Sequence, residues 1–185
     1  STLMRSSAAS DVYKRQHTTT NSAARMTLTG LFAAMITLMT AYICHIPYGA
    51  NGGYIHFGDA LIYIAAVLLP RPYALAAAAI GGGLADLLTA PMWAPATIII
   101  KMLITLPFTS QNVKLLCKRN LIAPFLALAI SATGYYLAEG ILFGSFLSPL
   151  ASISGSVIQS GGSAVLFFLL AGALEKTHLK TKYAL

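Results

Sequence analysis

Residues 121–143 read LIAPFLALAISATGYYLAEGILF, a run in which Glu139 is the single charged side chain. An α-helix needs about 20 mostly apolar residues to cross the ~30 Å hydrocarbon core of a bilayer, so this stretch predicts a transmembrane helix. The same reading extends outward along the chain. Of its 185 residues, 57% are hydrophobic and 9% are charged, and the mean hydropathy is +0.73. A soluble domain carries roughly a quarter charged residues, far more than are present to clothe a water-facing surface here. A soluble enzyme, a nucleic-acid binder and a disordered protein are therefore excluded.

Six apolar segments follow from this pattern, at about 25–46, 57–69, 73–88, 96–113, 121–143 and 150–174. The second stops at Pro70-Arg71-Pro72, and the third carries the triplet Gly81-Gly82-Gly83. The formal charge of +7 reflects 12 Lys and Arg against 5 Asp and Glu. Arg25, Arg71, Lys114, Lys118, Arg119, Lys176, Lys180 and Lys182 fall at alternate ends of the segments, while the loops at 47–58, 89–95 and 144–149 lack Lys and Arg. Cytoplasmic loops are rich in Lys and Arg, so the expectation is an all-α membrane protein of six transmembrane helices with both termini cytoplasmic. Residues 25–175 form that domain, with a polar tail at 17–24 and a basic cytoplasmic tail at 176–185. Residues 1–16, STLMRSSAASDVYKRQ, resemble an adapter-derived translation and are expected to be foreign to the natural protein. Cys44 and Cys117 are placed on opposite sides of the membrane and are expected to remain free thiols.

Charge at membrane depth is costly and asks for a reason. Asp59, Asp86, Lys101 and Glu139 all lie within segments, with the three acids towards the outer face. One reading is a polar pocket that opens outward; the other is an ion-pair cluster, with Lys101 bridging Asp59 or Asp86. Asp86 is assigned a structural role. Glu139, with Tyr135 and Tyr136 one helical turn earlier, is assigned to a pocket. In the sixth segment Ser152, Ser156, Gln159 and Ser163 form one polar stripe at helical spacing, either a packing seam or a wall of the same pocket. The first outer loop offers Tyr48, Asn51, Tyr54 and His56, and Trp93 stands in the second. Their rings suit a flat ligand and their polar atoms its edges, although aromatic side chains also anchor proteins at the membrane surface.

Segment one carries a ridge of small residues at four-residue spacing, Thr29, Ala33, Thr37 and Ala41, with Gly30 and Ala34 beside it. Such a ridge admits another helix at close range, from this chain or from a separate subunit. There is no phosphate-binding loop, HExxH, CxxC or GxSxG motif, so no catalysis, metal or cofactor is expected of this chain alone.

Gly53-Tyr54-Ile55-His56-Phe57-Gly58-Asp59-Ala60, Gly81 to Leu87 and Ala94-Pro95-Ala96-Thr97-Ile98-Ile99-Ile100-Lys101, in that order, resemble the substrate-binding S components of energy-coupling factor (ECF) transporters. The resemblance covers residues 25–180. It implies a protein of the bacterial cytoplasmic membrane that captures a vitamin or a related precursor near the outer face. The implied ligand site uses the first outer loop and the outer halves of segments four to six: Asn51, Tyr54, His56, Asp59, Trp93, Lys101, Tyr135, Tyr136, Glu139, Ser156 and Gln159. It further implies one transmembrane coupling subunit and two ABC-type ATPases as partners, docked through Gly30, Ala33, Ala34 and Thr37, with the loaded S component toppling to deliver its ligand inward. The contrasting expectations are a standalone secondary transporter or channel, possible as an oligomer, and a purely structural membrane protein.

Overall fold

The computed structural model describes residues 22–43, 45–48, 54–147, 149–177 and 180. The described residues fold into helices joined by short connections and one small hairpin. Helix α1 spans Ser22–Ile43 and ends in a π-turn over Met39–Ile43. Strands β1 (Ile46–Pro47) and β2 (Tyr54–Ile55) then pair antiparallel, Ile46 opposite Ile55 and Pro47 opposite Tyr54. Helices α2 (Gly58–Leu68), α3 (Arg71–Thr89), α4 (Ala94–Leu103), α5 (Lys118–Phe143) and α6 (Pro149–Lys176) follow, with a 3₁₀ turn at Pro91–Trp93 before α4.

Four of these helices, α1, α3, α5 and α6, are long and apolar enough to cross a membrane. The second and fourth expected segments are shorter helices of 11 and 10 residues. At 1.5 Å per residue they span about 15 Å, half the hydrocarbon core. Proline sets one of these limits directly. Pro70 drives the preceding residue out of the helical region, and Leu69 is extended with φ −94° and ψ 148°. The fourth segment was expected to run to 113, but α4 closes at Leu103. Pro107 lacks an N–H to continue a helix, and the chain turns through Thr105 N–H to Met102 O, Leu106 N–H to Leu103 O and Phe108 N–H to Thr105 O.

Helix α2 is apolar apart from Asp59 and buried on every side except at Leu61, which is how a helix enclosed by protein reads. It packs against α3 and α6, and α3, α4, α5 and α6 pack in succession, so the five helices close on one another. Tyr63 of α2 stacks on Phe108 at 4.8 Å and meets the edge of Phe167 at 5.9 Å. Ile62, Val67, Leu69 and Ile104 complete this core. Close approach along α3 depends on its glycines. A Cβ at Gly81 would lie 2.7 Å from the Ile36 Cβ on α1, and one at Gly82 would lie 2.8 Å from the Lys101 Cγ on α4. Helix α5 ends at Gly144, whose left-handed φ of +65° closes the last turn. At the far end of the bundle Lys180 donates to the carbonyls of Val67 (3.0 Å) and Asn112 (2.6 Å), tying the chain's tail to α2 and to the turn region after α4. Cys117 is a free thiol; Cys44 and residues 1–21 lie outside the described residues.

Candidate functional site

The hairpin that follows the π-turn of α1 forms the rim of a cavity. The ring of His45 stacks on Tyr54 at 3.9 Å, and its Nδ1–H reaches the Thr40 carbonyl at 3.3 Å. The Tyr54 hydroxyl crosses to α3 and donates to Asp86 Oδ1. Burial, reinforced by the Asp86 charge, pushes the Tyr54 phenol above its usual pKa, so it stays protonated and able to donate. On the other side of the hairpin, Tyr48 OH lies 2.6 Å from Ser154 Oγ of α6. The Tyr48 ring rests where residue 155 has no side chain, since a Cβ at Gly155 would sit 2.6 Å from it.

His56 follows β2 and is 4% exposed. The Gly58 N–H donates to its Nδ1 at 3.1 Å, with Thr40 Oγ1 3.4 Å from the same nitrogen. A nitrogen that accepts carries no proton, so the neutral ring holds its hydrogen on Nε2. Burial, with the Lys101 charge nearby, pulls the His56 pKa down to about 3. The His56 backbone N–H donates to Gln159 Oε1 at 3.3 Å, which ties the hairpin exit to α6.

Below this rim lies a cavity lined by Tyr48, Tyr54, Ile55, His56, Asp86, Trp93, Thr97, Tyr135, Glu139, Ser152, Gly155, Ser156 and Gln159. Its volume is about 90 Å³, room for several waters at roughly 10–15 Å³ each. Trp93 meets the edge of Tyr135 at 6.2 Å and tilts against Phe143 at 6.1 Å. Tyr135 OH lies 3.0 Å from Thr97 Oγ1. Across from them, the Ser152 hydroxyl donates to Glu139 Oε1 at 3.2 Å. Aromatic faces with a few convergent polar atoms are how sites for flat organic molecules are built. Among the described residues no cluster of His, Cys, Asp and Glu is arranged to hold a metal ion.

Of the residues singled out in the sequence, Tyr54, His56, Trp93, Tyr135, Glu139, Ser156 and Gln159 meet on this cavity. Asn51 lies outside the described residues. Asp59 and Lys101 do not line it: they pair with each other at 2.6 Å beneath it, 0% and 1% exposed. Lys101 thus bridges to Asp59 rather than Asp86. Asp86, assigned only a structural role, lines the cavity as well as accepting from Tyr54. Tyr136 turns away from it, donating to the Phe146 carbonyl at 3.0 Å and holding the α5–α6 connection. Thr97 and Ile55 stand in the stretches that carry the resemblance but were given no place in the site, although Thr97 lies one turn before Lys101 on the same face of α4; Gly155 carried no signal of its own.

The small-residue ridge of α1 divides between two faces. Ala33 and Thr37 are buried, and the Thr37 hydroxyl donates to the Gly81 carbonyl at 3.1 Å, so these two pack against α3 inside the bundle. Gly30 and Ala34 are exposed, with nothing within 4 Å of the place a Gly30 Cβ would take. Apart from buried Lys101, the basic side chains of the helices gather at the end away from the cavity. Arg71 opens α3, Lys118 opens α5 and Lys176 closes α6. Arg25 joins them in the first turn of α1, where Ser22 meets Tyr73 of α3 at 3.3 Å.

Residues 20–176 match the family described as ECF-type riboflavin transporter, S component. The chain belongs to that family. This S component is therefore a membrane protein of the substrate-binding kind that serves transport. It is also 38% identical over 63 residues to an uncharacterized protein in gap 3'region from Pyrococcus woesei. That match covers 34% of the S component and 43% of the relative, less than half of the relative's length.

Proposed function

We propose that this chain is the substrate-capturing subunit of an ECF-type importer, binding a vitamin with a flat ring system, riboflavin first among them, in the cavity beneath the hairpin. The observation that carries the reading is the cavity itself: Trp93, Tyr135, Tyr54 and Tyr48 supply aromatic surface, and His56, Glu139, Ser156 and Gln159 supply polar atoms at its edges. The bundle crosses the membrane with the cavity facing outward. Its basic end, with Arg71, Lys118, Arg119 and Lys176, meets the cytoplasm, as the bias of Lys and Arg towards that side requires. Helices α2 and α4 complete six passes. The short span of α2 and the irregular backbone beside it are tolerated because protein, not lipid, surrounds that helix.

The chain carries no nucleotide-binding loop, so energy comes from partners: a transmembrane coupling subunit and two ABC-type ATPases. Exposed Gly30 and Ala34 on α1 offer the close helix contact for docking. The deciding experiment titrates riboflavin into the purified protein in detergent, followed by flavin fluorescence and thermal shift, with mass spectrometry of whatever co-purifies. Saturable binding weakened by Glu139→Ala supports the proposal. A protein that carries nothing and responds to no member of a vitamin panel would sink it.

A further inference from the structure

The Asp59–Lys101 pair is buried at membrane depth yet lies outside the cavity wall. Buried ion pairs contribute little stability that well-packed apolar side chains would not, so the use of this one is to be sought in what it orients. The geometry points to Asp59 and Lys101 as positioning residues of the ligand cavity, the carboxylate fixing Gln159 on one wall and the ammonium fixing Tyr135 on the other. This inference rests on the reading of that cavity as the ligand site.

The carboxylate side is fully specified. Asp59 Oδ1 accepts from Lys101 at 2.6 Å, and Oδ2 accepts from Gln159 Nε2 at 3.0 Å. A side-chain amide can present either end, and a carboxylate accepts only from the nitrogen. Asp59 therefore turns the Gln159 oxygen towards the His56 N–H, 3.3 Å away, and leaves the second amide hydrogen beyond those two bonds. Gln159 and His56 both line the cavity, so its α6 wall and its hairpin wall take their orientation from one buried oxygen.

The ammonium side is held as firmly. The Lys101 stem lies against Gly82, where a Cβ would meet its Cγ at 2.8 Å. The Nζ stands 5.4 Å from the centroid of the Tyr135 ring, within the range of a cation–π attraction. Tyr135 is further fixed by Thr97 and in turn backs the edge of Trp93. Removing the ammonium frees this wall; removing the carboxylate frees the other.

The test uses the purified chain in detergent and two readouts. One is the riboflavin Kd. The other is the ligand-free emission and acrylamide quenching of Trp93, the single tryptophan of the sequence. Asp59→Asn is expected to weaken riboflavin binding about tenfold or more, the worth of a hydrogen bond to a charged group. In a Gln159→Ala background the same change should cost less than about threefold, because the two act through one contact. Lys101→Met should shift Trp93 emission and raise its quenching, and Lys101→Arg should preserve both. Should a single variant fail to fold, the neutral double Asp59→Asn/Lys101→Met, which strands no charge, carries the same measurements. Equal losses of affinity in both backgrounds, a folded Asp59→Asn variant with wild-type affinity, or Trp93 emission unmoved by loss of the ammonium would each overturn the inference. If the unaltered protein takes up no riboflavin, the proposed ligand is wrong, and the Trp93 readout still decides whether the pair positions the wall.

Discussion

The Thr37 hydroxyl on α1 donates to the carbonyl of Gly81 on α3 across 3.1 Å. That contact needs the glycine: a Cβ at 81 would stand 2.7 Å from the Ile36 Cβ and 2.9 Å from the Ala33 carbonyl oxygen. A backbone oxygen cannot swing aside, so Gly81→Ala must push the helices apart. The expected cost is about 1–3 kcal/mol, read as a lower midpoint in detergent thermal denaturation. Gly30→Ala on the outer face meets nothing within 4 Å and gains helix propensity, so its midpoint should hold or rise. Equal midpoints for the two variants would refute this account of the seam.

The long apolar runs made α1, α3, α5 and α6 readable, and the isolated polar residues within them, Glu139 and Gln159, led to the cavity. The length of α2 was legible too, because Pro70 ends the segment at 57–69. That of α4 was hidden for a physical reason: hydropathy records how apolar a segment is, not where the helix within it stops, and the apolar residues after Leu103 run on as turns. The partner of Lys101 was equally hidden. Asp59 and Asp86 have the same chemistry, and only the seating of the Lys101 stem on Gly82 and the packing of α2 beside it decide between them. Tyr136 shows the converse: one residue from Tyr135, it is rotated by about 100° around α5 and binds the α5–α6 connection instead.

Tyr54 joins the hairpin to α3 through its hydroxyl bond to Asp86. Tyr54→Phe keeps the ring stacked on His45 and removes that bond, together with the long one that Thr89 Oγ1 donates to the hydroxyl at 3.5 Å. The hairpin should then open more readily, with riboflavin released roughly tenfold faster in a stopped-flow chase, as loss of a hydrogen bond to a charged group implies. An unchanged release rate in a folded variant would show that the bond does not hold the rim closed.

The pH dependence of stability should carry the mark of His56. Its pKa falls from 6.5 unfolded to about 3 folded, so between those values the unfolded chain binds the extra proton. Stability from this group is complete above about pH 6.5 and is lost as pH falls towards 3, at a slope approaching 1.4 kcal/mol per pH unit. His56→Asn places an amide oxygen where Nδ1 accepts the Gly58 N–H and removes the titrating ring. The difference in denaturation midpoint between variant and wild type should therefore shrink as the pH is lowered from 7 to 4. A difference constant over that range would mean that His56 does not titrate as its burial demands.

Docking on the coupling subunit should separate the two halves of the α1 ridge. Gly30 and Ala34 are exposed beside Leu31, which is 53% exposed, so a partner helix can approach that face without disturbing the bundle. Gly30→Leu with Ala34→Leu fills the shallow groove, and close helix contact depends on small residues there. Riboflavin binding should be unaffected, because the cavity is lined by the hairpin and by residues of α3, α4, α5 and α6. ATP-driven uptake by vesicles holding the full complex should fall by roughly tenfold or more, the loss expected when the centre of an interface is blocked. Ala33→Leu should instead lower the denaturation midpoint, since Ala33 is 4% exposed and packs against α3. Uptake that survives the double leucine variant would move the docking face off this side of α1.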